Sequence, residues 1–121
     1  MSDTPFSADA PPVCIVGATG FTGQLTGQAL IKAGIPFRAL GRREDRLAQA
    51  VDAWGVPTLT AVVDITDPEA LRAALAGVMV VINCAGPFAG LGPGVVEAAI
   101  AVGAHYLDCT GEQSFIRHCY D

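Results

Sequence analysis

Seven residues near the start of the chain, Gly17 to Gly23, have the types and spacing that suit a phosphate-binding turn. They follow an apolar run, Val13 to Val16, and open a helical pattern. Gly17 would let the chain reverse sharply, Gly20 would let the backbone approach a pyrophosphate, and Gly23 would let the helix pack closely. The first N–H groups of the helix would face the phosphate oxygens. The spacing is G-x-x-G-x-x-G, so the strand–turn–helix context is what makes the motif informative.

The end of the predicted second strand indicates which dinucleotide is favoured. It reads Leu40-Gly41-Arg42-Arg43, with no carboxylate before Glu44. A site that prefers NAD usually has Asp or Glu here to accept hydrogen bonds from the ribose 2′-hydroxyl. A guanidinium instead forms paired hydrogen bonds to a 2′-phosphate and stacks on adenine. Arg42 and Arg43 therefore favour NADP, with NAD as the alternative, unless both are simply solvated residues that open a helix.

Two further strand ends have polar groups at the expected crevice. Asp64 closes the third strand, where it would accept a hydrogen bond from the adenine amine and Ile65 would cover the ring. A cap for the following turn is an equally open alternative for Asp64. After the fourth strand, Asn83 and the turn Ala85-Gly86-Pro87 would approach the ribose and nicotinamide. We expect that turn to continue as a loop through three glycines, Gly90, Gly92 and Gly94.

The sequence lacks the residues and motifs that several classes of enzyme require. Lys32 is its only lysine, so a Tyr-x-x-x-Lys pair cannot form, and it contains no P-loop or nucleophile elbow. The four cysteines have no zinc-ligand spacing and are expected to be reduced thiols, typical of the cytoplasm. Asp108, Thr110 and Glu112 are polar residues at the carboxyl edge of the fifth strand, although Thr110 is more simply a helix cap. We assign no catalytic residue and no metal ligand.

The order of elements places these residues at one edge of a sheet. Strands are predicted at about 13–17, 37–41, 59–64, 79–85 and 105–109, and they alternate with helices. Four helices are predicted, at about 22–33, at about 43–54, between the N-cap Asp67 and Gly77, and at about 93–102. A fifth helix is predicted to begin at Glu112. The first should bury Leu25, Ala29 and Ala33, which lie at four-residue spacing. This rhythm predicts a three-layer α/β/α, doubly wound parallel sheet of order 3-2-1-4-5, with the ligand crevice beyond strands 1 and 4.

Length and composition agree with one cofactor-binding domain. The chain has 121 residues, 51% of them hydrophobic, and a net charge of −5. Few aromatics and many small apolar residues suit a parallel sheet covered on both faces. The negative charge argues against nucleic acid, and no apolar run approaches the ~20 residues that span a bilayer. We expect a flexible tail over residues 1–11 and one domain over residues 12–121.

Four segments together resemble the N-terminal domain of the saccharopine dehydrogenase-like oxidoreductases. They are V-G-A-T-G-F-T-G (16–23), L-G-R (40–42), N-C-A-G-P-F (83–88) and H-Y-L-D-C-T-G-E (105–112). The resemblance implies an NAD(P)-binding Rossmann domain followed by a larger substrate and dimerisation domain. It implies that the pyrophosphate is held by Gly17, Thr19, Gly20, Phe21, Thr22 and Gly23, the ribose phosphate by Arg42, and the nicotinamide half by Ala85 to Pro87.

The sequence thus predicts an NADP-binding domain of an oxidoreductase that transfers hydride to or from a small organic substrate. We expect the chain to be a truncated product that lacks the substrate domain and does not turn over alone. A homodimer through its apolar surface is a further hypothesis. A non-catalytic dinucleotide sensor is the alternative function. A third option is a doubly wound domain that binds no nucleotide, in which the glycines serve only turning and packing.

Overall fold

Five parallel strands form a single sheet in the computed structural model, which describes residues 6–7, 9–85 and 88–108, without the side chains of 88 and 89. The strand order is β3-β2-β1-β4-β5, which confirms the predicted 3-2-1-4-5 sheet. The strands are β1 (Val13–Val16), β2 (Arg38–Gly41), β3 (Leu59–Val62), β4 (Val80–Asn83) and β5 (His105–Asp108). The helices are α1 (Phe21–Lys32), α2 (Glu44–Trp54), α3 (Pro68–Ala74) and α4 (Phe88–Val102).

Apolar side chains bury both faces of the sheet, as a parallel sheet between helices requires. Neighbouring residues of β1 point to opposite faces, so Cys14 joins the cluster that includes Leu71 and Val95 of α3 and α4. Ile15 joins the other cluster, with Leu47 and Trp54 of α2. Burial raises the pKa of the Cys14 thiol to about 12, which keeps it a protonated, small apolar side chain.

The buried face of α1 differs from the predicted one. Leu25 is 49% exposed, and the helix packs instead through Gly23 and Gly27. A Cβ on Gly27 would overlap the indole of Trp54, whose Nε1–H donates to the carbonyl of Gln24 at 3.0 Å. The prediction was wrong because it considered only the four-residue spacing of apolar side chains, whereas the closest approach is at Gly23 and Gly27, and Leu30 and Ile31 pack partly buried beside them.

The other predicted helix boundaries largely agree with the structure. Asp67 caps α3, accepting from the N–H groups of Glu69 and Ala70 at 3.1 and 3.2 Å. Left-handed glycines close the turns after the helices, as at Gly34 and Gly103, with φ of +74° and +76°.

The fourth helix begins earlier than predicted. α4 starts at Phe88, so Gly90, Gly92 and Gly94 are helical and do not belong to a loop. Pro93 lies inside the helix, where it removes one backbone hydrogen bond. Burial of Val95, Ala98 and Ala99 against the sheet outweighs this poor helix propensity.

Arg38, at the start of β2, is a buried charge that sequence reasoning missed. It is only 2% exposed, and its Nε donates to the carbonyl of Pro11 at 2.8 Å. Its Nη1 donates to the carbonyls of Ala74, the last residue of α3, and Ala76, at 3.2 and 3.0 Å. Phe6 lies beneath the guanidinium, 4.9 Å from ring centroid to Cζ. Thus described residues of the predicted tail contact the domain, at the sheet edge opposite the carboxyl ends of the strands.

We expect Arg38→Met to lower the free energy of unfolding by about 2–4 kcal/mol, because three carbonyls lose their donor, one of them in a buried contact. Urea denaturation measures this loss. Arg72→Met, at an exposed position of α3, is the control and should change stability by less than about 0.5 kcal/mol. Equal losses in the two variants would show that the Arg38 hydrogen bonds contribute little.

Candidate functional site

A cleft of about 280 Å³ opens at the carboxyl edge of the sheet, over the ends of β1, β2, β3 and β4. Strand polarity places the polar residues that follow these strands at one edge. The cleft is lined by seven predicted site residues, Gly17, Thr19, Gly20, Arg42, Asp64, Ile65 and Ala85. It is also lined by five residues not predicted to bind, Gly41, Val63, Thr66, Cys84 and Leu91. Leu91 reaches it because α4 starts early.

The turn after β1 is held against the two neighbouring strands. The N–H groups of Gly17 and Ala18 both donate to the carbonyl of Leu40, at 3.1 and 3.0 Å. Gly17 has a φ of +77°, and a Cβ there would lie 2.7 Å from the backbone nitrogen of Ala85. The predicted sharp reversal at Gly17 is confirmed, and the same glycine permits the close approach of the turn after β4.

The other two glycines of the motif have different surroundings. A Cβ on Gly23 would overlap the carbonyl oxygen of Gly17 and the backbone of Ala18, so Gly23 packs α1 against the turn. Gly20 is exposed, and a Cβ there would meet only the carbonyl oxygen of Gly17, at 3.9 Å. Packing within the protein therefore requires a glycine at position 23 and does not require one at position 20. Gly20 lines the cleft, and a Cβ there would have open space around it.

The start of α1 presents backbone N–H donors beside Gly20. Gly20 is the N-cap, and because it has no side chain it does not cap the first N–H groups of the helix. The first N–H groups of the helix and its positive dipole end are therefore suited to an anion. Phe21 is 82% exposed at the first helical position, and Thr22 is also exposed. Neither of these two predicted site residues lines the cleft.

The two arginines after β2 are in different environments. Arg42 lines the cleft and, among the residues that the structure describes, makes no hydrogen bond or ion pair. Arg43 points elsewhere: its Nε and Nη2 donate to the two carboxylate oxygens of Asp45, at 3.2 and 2.9 Å. Of the two guanidinium groups, only that of Arg42 is available to a ligand in the cleft without first breaking an ion pair.

Asp64 forms the turn that was the alternative to adenine binding. Its Oδ1 accepts from the hydroxyl and the backbone N–H of Thr66, at 2.6 and 2.9 Å. These hydrogen bonds, and to a lesser degree the nearby charge of Arg42, hold the pKa of the Asp64 carboxyl below its usual value. Asp64 nevertheless lines the cleft beside Ile65, so capping the turn and facing a ligand are compatible.

Asn83 lies beneath the turn after β4. It is 1% exposed, and its Oδ1 accepts from the N–H of Ala85 at 3.0 Å. Its Nδ2 donates to the hydroxyl of Tyr106 on β5, also at 3.0 Å. Tyr106 was missed because nothing in the sequence indicates a diagonal contact between neighbouring strands. Gly86 and Pro87, the other predicted residues of this turn, lie outside the described residues.

This arrangement combines a glycine turn, backbone donors at a helix start, an uncommitted guanidinium and a carboxylate around one cleft. Such a set is chemically suited to a phosphorylated nucleotide, and it lies where the sheet order reverses. Within the described ranges, no group of three His, Cys, Asp or Glu side chains could hold a metal ion. Among the described helices, none is both long and apolar enough to cross a membrane. Fold and site together define a Rossmann-type nucleotide-binding domain.

Comparison with known proteins places this domain in a family. Residues 13–120 match the family described as the saccharopine dehydrogenase NADP binding domain, and the chain belongs to it. A candidate trans-acting enoyl reductase of Mycobacterium tuberculosis is 37% identical over 128 residues, which cover 100% of this chain and 29% of that protein. The human saccharopine dehydrogenase-like oxidoreductase is 30% identical over 119 residues, which cover 84% of this chain and 28% of that protein. The chain thus spans less than a third of these relatives.

Solved structures confirm the fold. Saccharopine dehydrogenase of Saccharomyces cerevisiae aligns with a TM-score of 0.72 at 22% identity, covering 89% of this chain and 24% of its own. The NADPH complex of leucoanthocyanidin reductase from Vitis vinifera aligns with a TM-score of 0.65 at 27% identity, covering 78% and 34%. The family, described as an NADP binding domain, supports NADP as the cofactor.

Proposed function

We propose that the cleft binds NADP(H), with the pyrophosphate above Gly20 and the 2′-phosphate at Arg42. The observation that supports this most directly is at Gly20. Because Gly20 has no side chain, it leaves space in the cleft that no other part of the protein fills. The backbone there would approach the pyrophosphate, and the first N–H groups of α1 would donate to it. Thr19, Phe21, Thr22 and Gly23 would complete the pyrophosphate segment, Gly23 by fixing its shape.

The adenosine half would lie between the ends of β2 and β3. Arg42 would form paired hydrogen bonds with the 2′-phosphate, and Arg43 would add a weaker contact after exchanging Asp45 for that phosphate. The Oδ2 atom of Asp64 would face the adenine amine while its Oδ1 continues to accept hydrogen bonds from Thr66. Ile65 would cover the adenine ring. The nicotinamide half would extend toward Ala85 to Pro87, with Asn83 beneath.

In the whole protein, we propose that this domain serves an oxidoreductase. The bound dinucleotide supplies hydride chemistry, and this chain's residues hold it in place and exclude alternative positions. The substrate is proposed to be a small organic molecule such as an imine, enoyl or keto compound, bound largely by a second domain. A cytoplasmic location is proposed because the four cysteines of the sequence have no C-x-x-C pair and no zinc-ligand spacing, a pattern typical of reduced thiols. A homodimer would bury apolar side chains that are exposed here, such as Ile100, at 72%.

We expect Gly20→Ala to leave stability unchanged and to weaken NADPH binding about tenfold or more, because the new methyl group would occupy the pyrophosphate position. Thermal unfolding and fluorescence titration with NADPH measure the two effects. Gly90→Ala is the matched control, because a Cβ there meets nothing within 4 Å and Gly90 lies outside the cleft. If Gly20→Ala binds NADPH as tightly as Gly90→Ala, the pyrophosphate does not approach Gly20.

A further inference from the structure

A buried amide connects the last strand to the cleft. Asn83 bridges the Tyr106 hydroxyl and the Ala85 N–H, with 3.0 Å at both hydrogen bonds. Asn83 is 1% exposed, and Tyr106 is partly buried against the core on the side of α3 and α4. Tyr106 does not line the cleft, so it could affect a ligand only through the residues that it contacts.

The chemistry of the three groups fixes which way the amide points. The Ala85 N–H is only a donor, so the Asn83 oxygen must face it. The Asn83 NH2 group then faces Tyr106, whose hydroxyl accepts the hydrogen bond. Without that acceptor the buried NH2 group is left unpaired at this point, and the Asn83 side chain that binds Ala85 is held by one of these two hydrogen bonds instead of both.

Ala85 is the residue whose position matters for the cleft. It lines the cleft, and its backbone lies so close to Gly17 that a Cβ on Gly17 would be 2.7 Å from its nitrogen. One residue earlier, the Cys84 N–H donates to the carbonyl of Val16 at 2.8 Å. The turn after β4, here called the β4 turn, is therefore fixed by β1 at Cys84 and by the Asn83 amide at Ala85.

We propose that Tyr106 is a positioning residue for dinucleotide binding, which holds Ala85 against the glycine turn through Asn83. This rests on the proposed function, in which the β4 turn lies along the nicotinamide half of the cofactor. The adenosine half would lie at Arg42, Asp64 and Ile65, with which neither Tyr106 nor Asn83 forms a hydrogen bond. Loss of the Tyr106 hydroxyl should therefore weaken binding of the whole dinucleotide and spare ligands that contain only its adenosine half.

The test compares NADPH with adenosine 2′,5′-bisphosphate on the full 121-residue chain, by fluorescence and calorimetric titration. We expect Tyr106→Phe to weaken NADPH about tenfold and the bisphosphate less than about twofold. Arg38→Met is the control for a purely structural loss, because Arg38 lies at the opposite edge of the sheet. It should reduce stability and leave the affinities for both ligands unchanged while the protein is folded.

A double-mutant cycle tests whether Tyr106 acts through Asn83. In an Asn83→Ala background, Tyr106→Phe should change NADPH affinity by less than about twofold, because the connection is already broken. Independent, additive losses would overturn the proposal. So would a Tyr106→Phe variant that binds NADPH normally, or one that loses both ligands equally, while the wild type binds both. A wild type that binds neither ligand would instead refute the proposed function, and the positioning role with it.

Discussion

Gly17→Ala is expected to lower the free energy of unfolding by at least about 4 kcal/mol, a large part of the stability of a marginally stable domain. A φ of +77° costs a residue with a Cβ about 1–2 kcal/mol. The larger part comes from the new methyl group, which would lie 2.7–2.9 Å from the nitrogen, Cα and Cβ of Ala85. To relieve that overlap, the turns after β1 and β4 would have to separate, and these turns line the cleft.

Gly34→Ala separates the two causes. Gly34 has nearly the same φ, +74°, but a Cβ there meets nothing within 4 Å. This variant should lose only about 1–2 kcal/mol, from backbone conformation alone. Urea denaturation of both variants gives the difference, which reports the close approach of Gly17 to Ala85. Equal losses in the free energy of unfolding for the two variants would contradict the close packing of the turns after β1 and β4.

Arg42→Ala is expected to weaken NADPH binding about 30-fold, because charge-assisted hydrogen bonds of a guanidinium to a phosphate contribute roughly 1.5–3 kcal/mol. NADH has a 2′-hydroxyl in place of the phosphate, so its affinity should change less than about threefold. The variant should fold normally, since Arg42 makes no hydrogen bond or ion pair among the described residues. Parallel titrations with the two reduced dinucleotides measure this selectivity.

Arg43→Ala is the matched control. Arg43 has the same side chain one residue later, but it is held by Asp45 and does not line the cleft. We expect its removal to weaken NADPH by less than about fivefold. A larger loss in Arg43→Ala than in Arg42→Ala would mean that the arginines have exchanged roles when the cofactor binds. Equal losses of NADPH and NADH in Arg42→Ala would contradict a 2′-phosphate contact.

The order of elements was predictable because local physics and the global fold agree. Strands such as β1 are short apolar runs, and glycines such as Gly55 and Gly103 adopt the left-handed conformation just after helices. The Asp67 cap was equally clear, since its side chain acts within three residues. These features depend on neighbours in sequence, so one sequence suffices to recognise them.

Features that depend on tertiary contacts were not predictable. The early start of α4 overrides a sequence rich in glycine and proline, because burial of residues such as Val95 stabilises the helix. The face of α1 was assigned to Leu25, whereas Gly23 and Gly27 permit the closest approach. The hydrogen bonds of Arg38 join residues 27 to 38 positions apart, and the Asn83–Tyr106 contact spans 23.

Seven of the twelve residues that line the cleft were predicted from the glycine motif and the strand ends, and the other five required the structure. Gly17, Gly20 and Arg42 were assigned from positions that the fold brings to one edge. The sequence could not distinguish Arg42 from Arg43, because the difference lies in the ion pair with Asp45. Nor could it show that Gly20 differs from Gly23, although both belong to one motif.

Titration of the wild-type chain with NADPH, followed by the fluorescence of the reduced nicotinamide, tests the central claim most directly. The structure predicts saturable binding of one NADPH per chain, with NADH binding at least about tenfold more weakly. No saturable signal up to about 1 mM NADPH would contradict the claim that this cleft is a dinucleotide site.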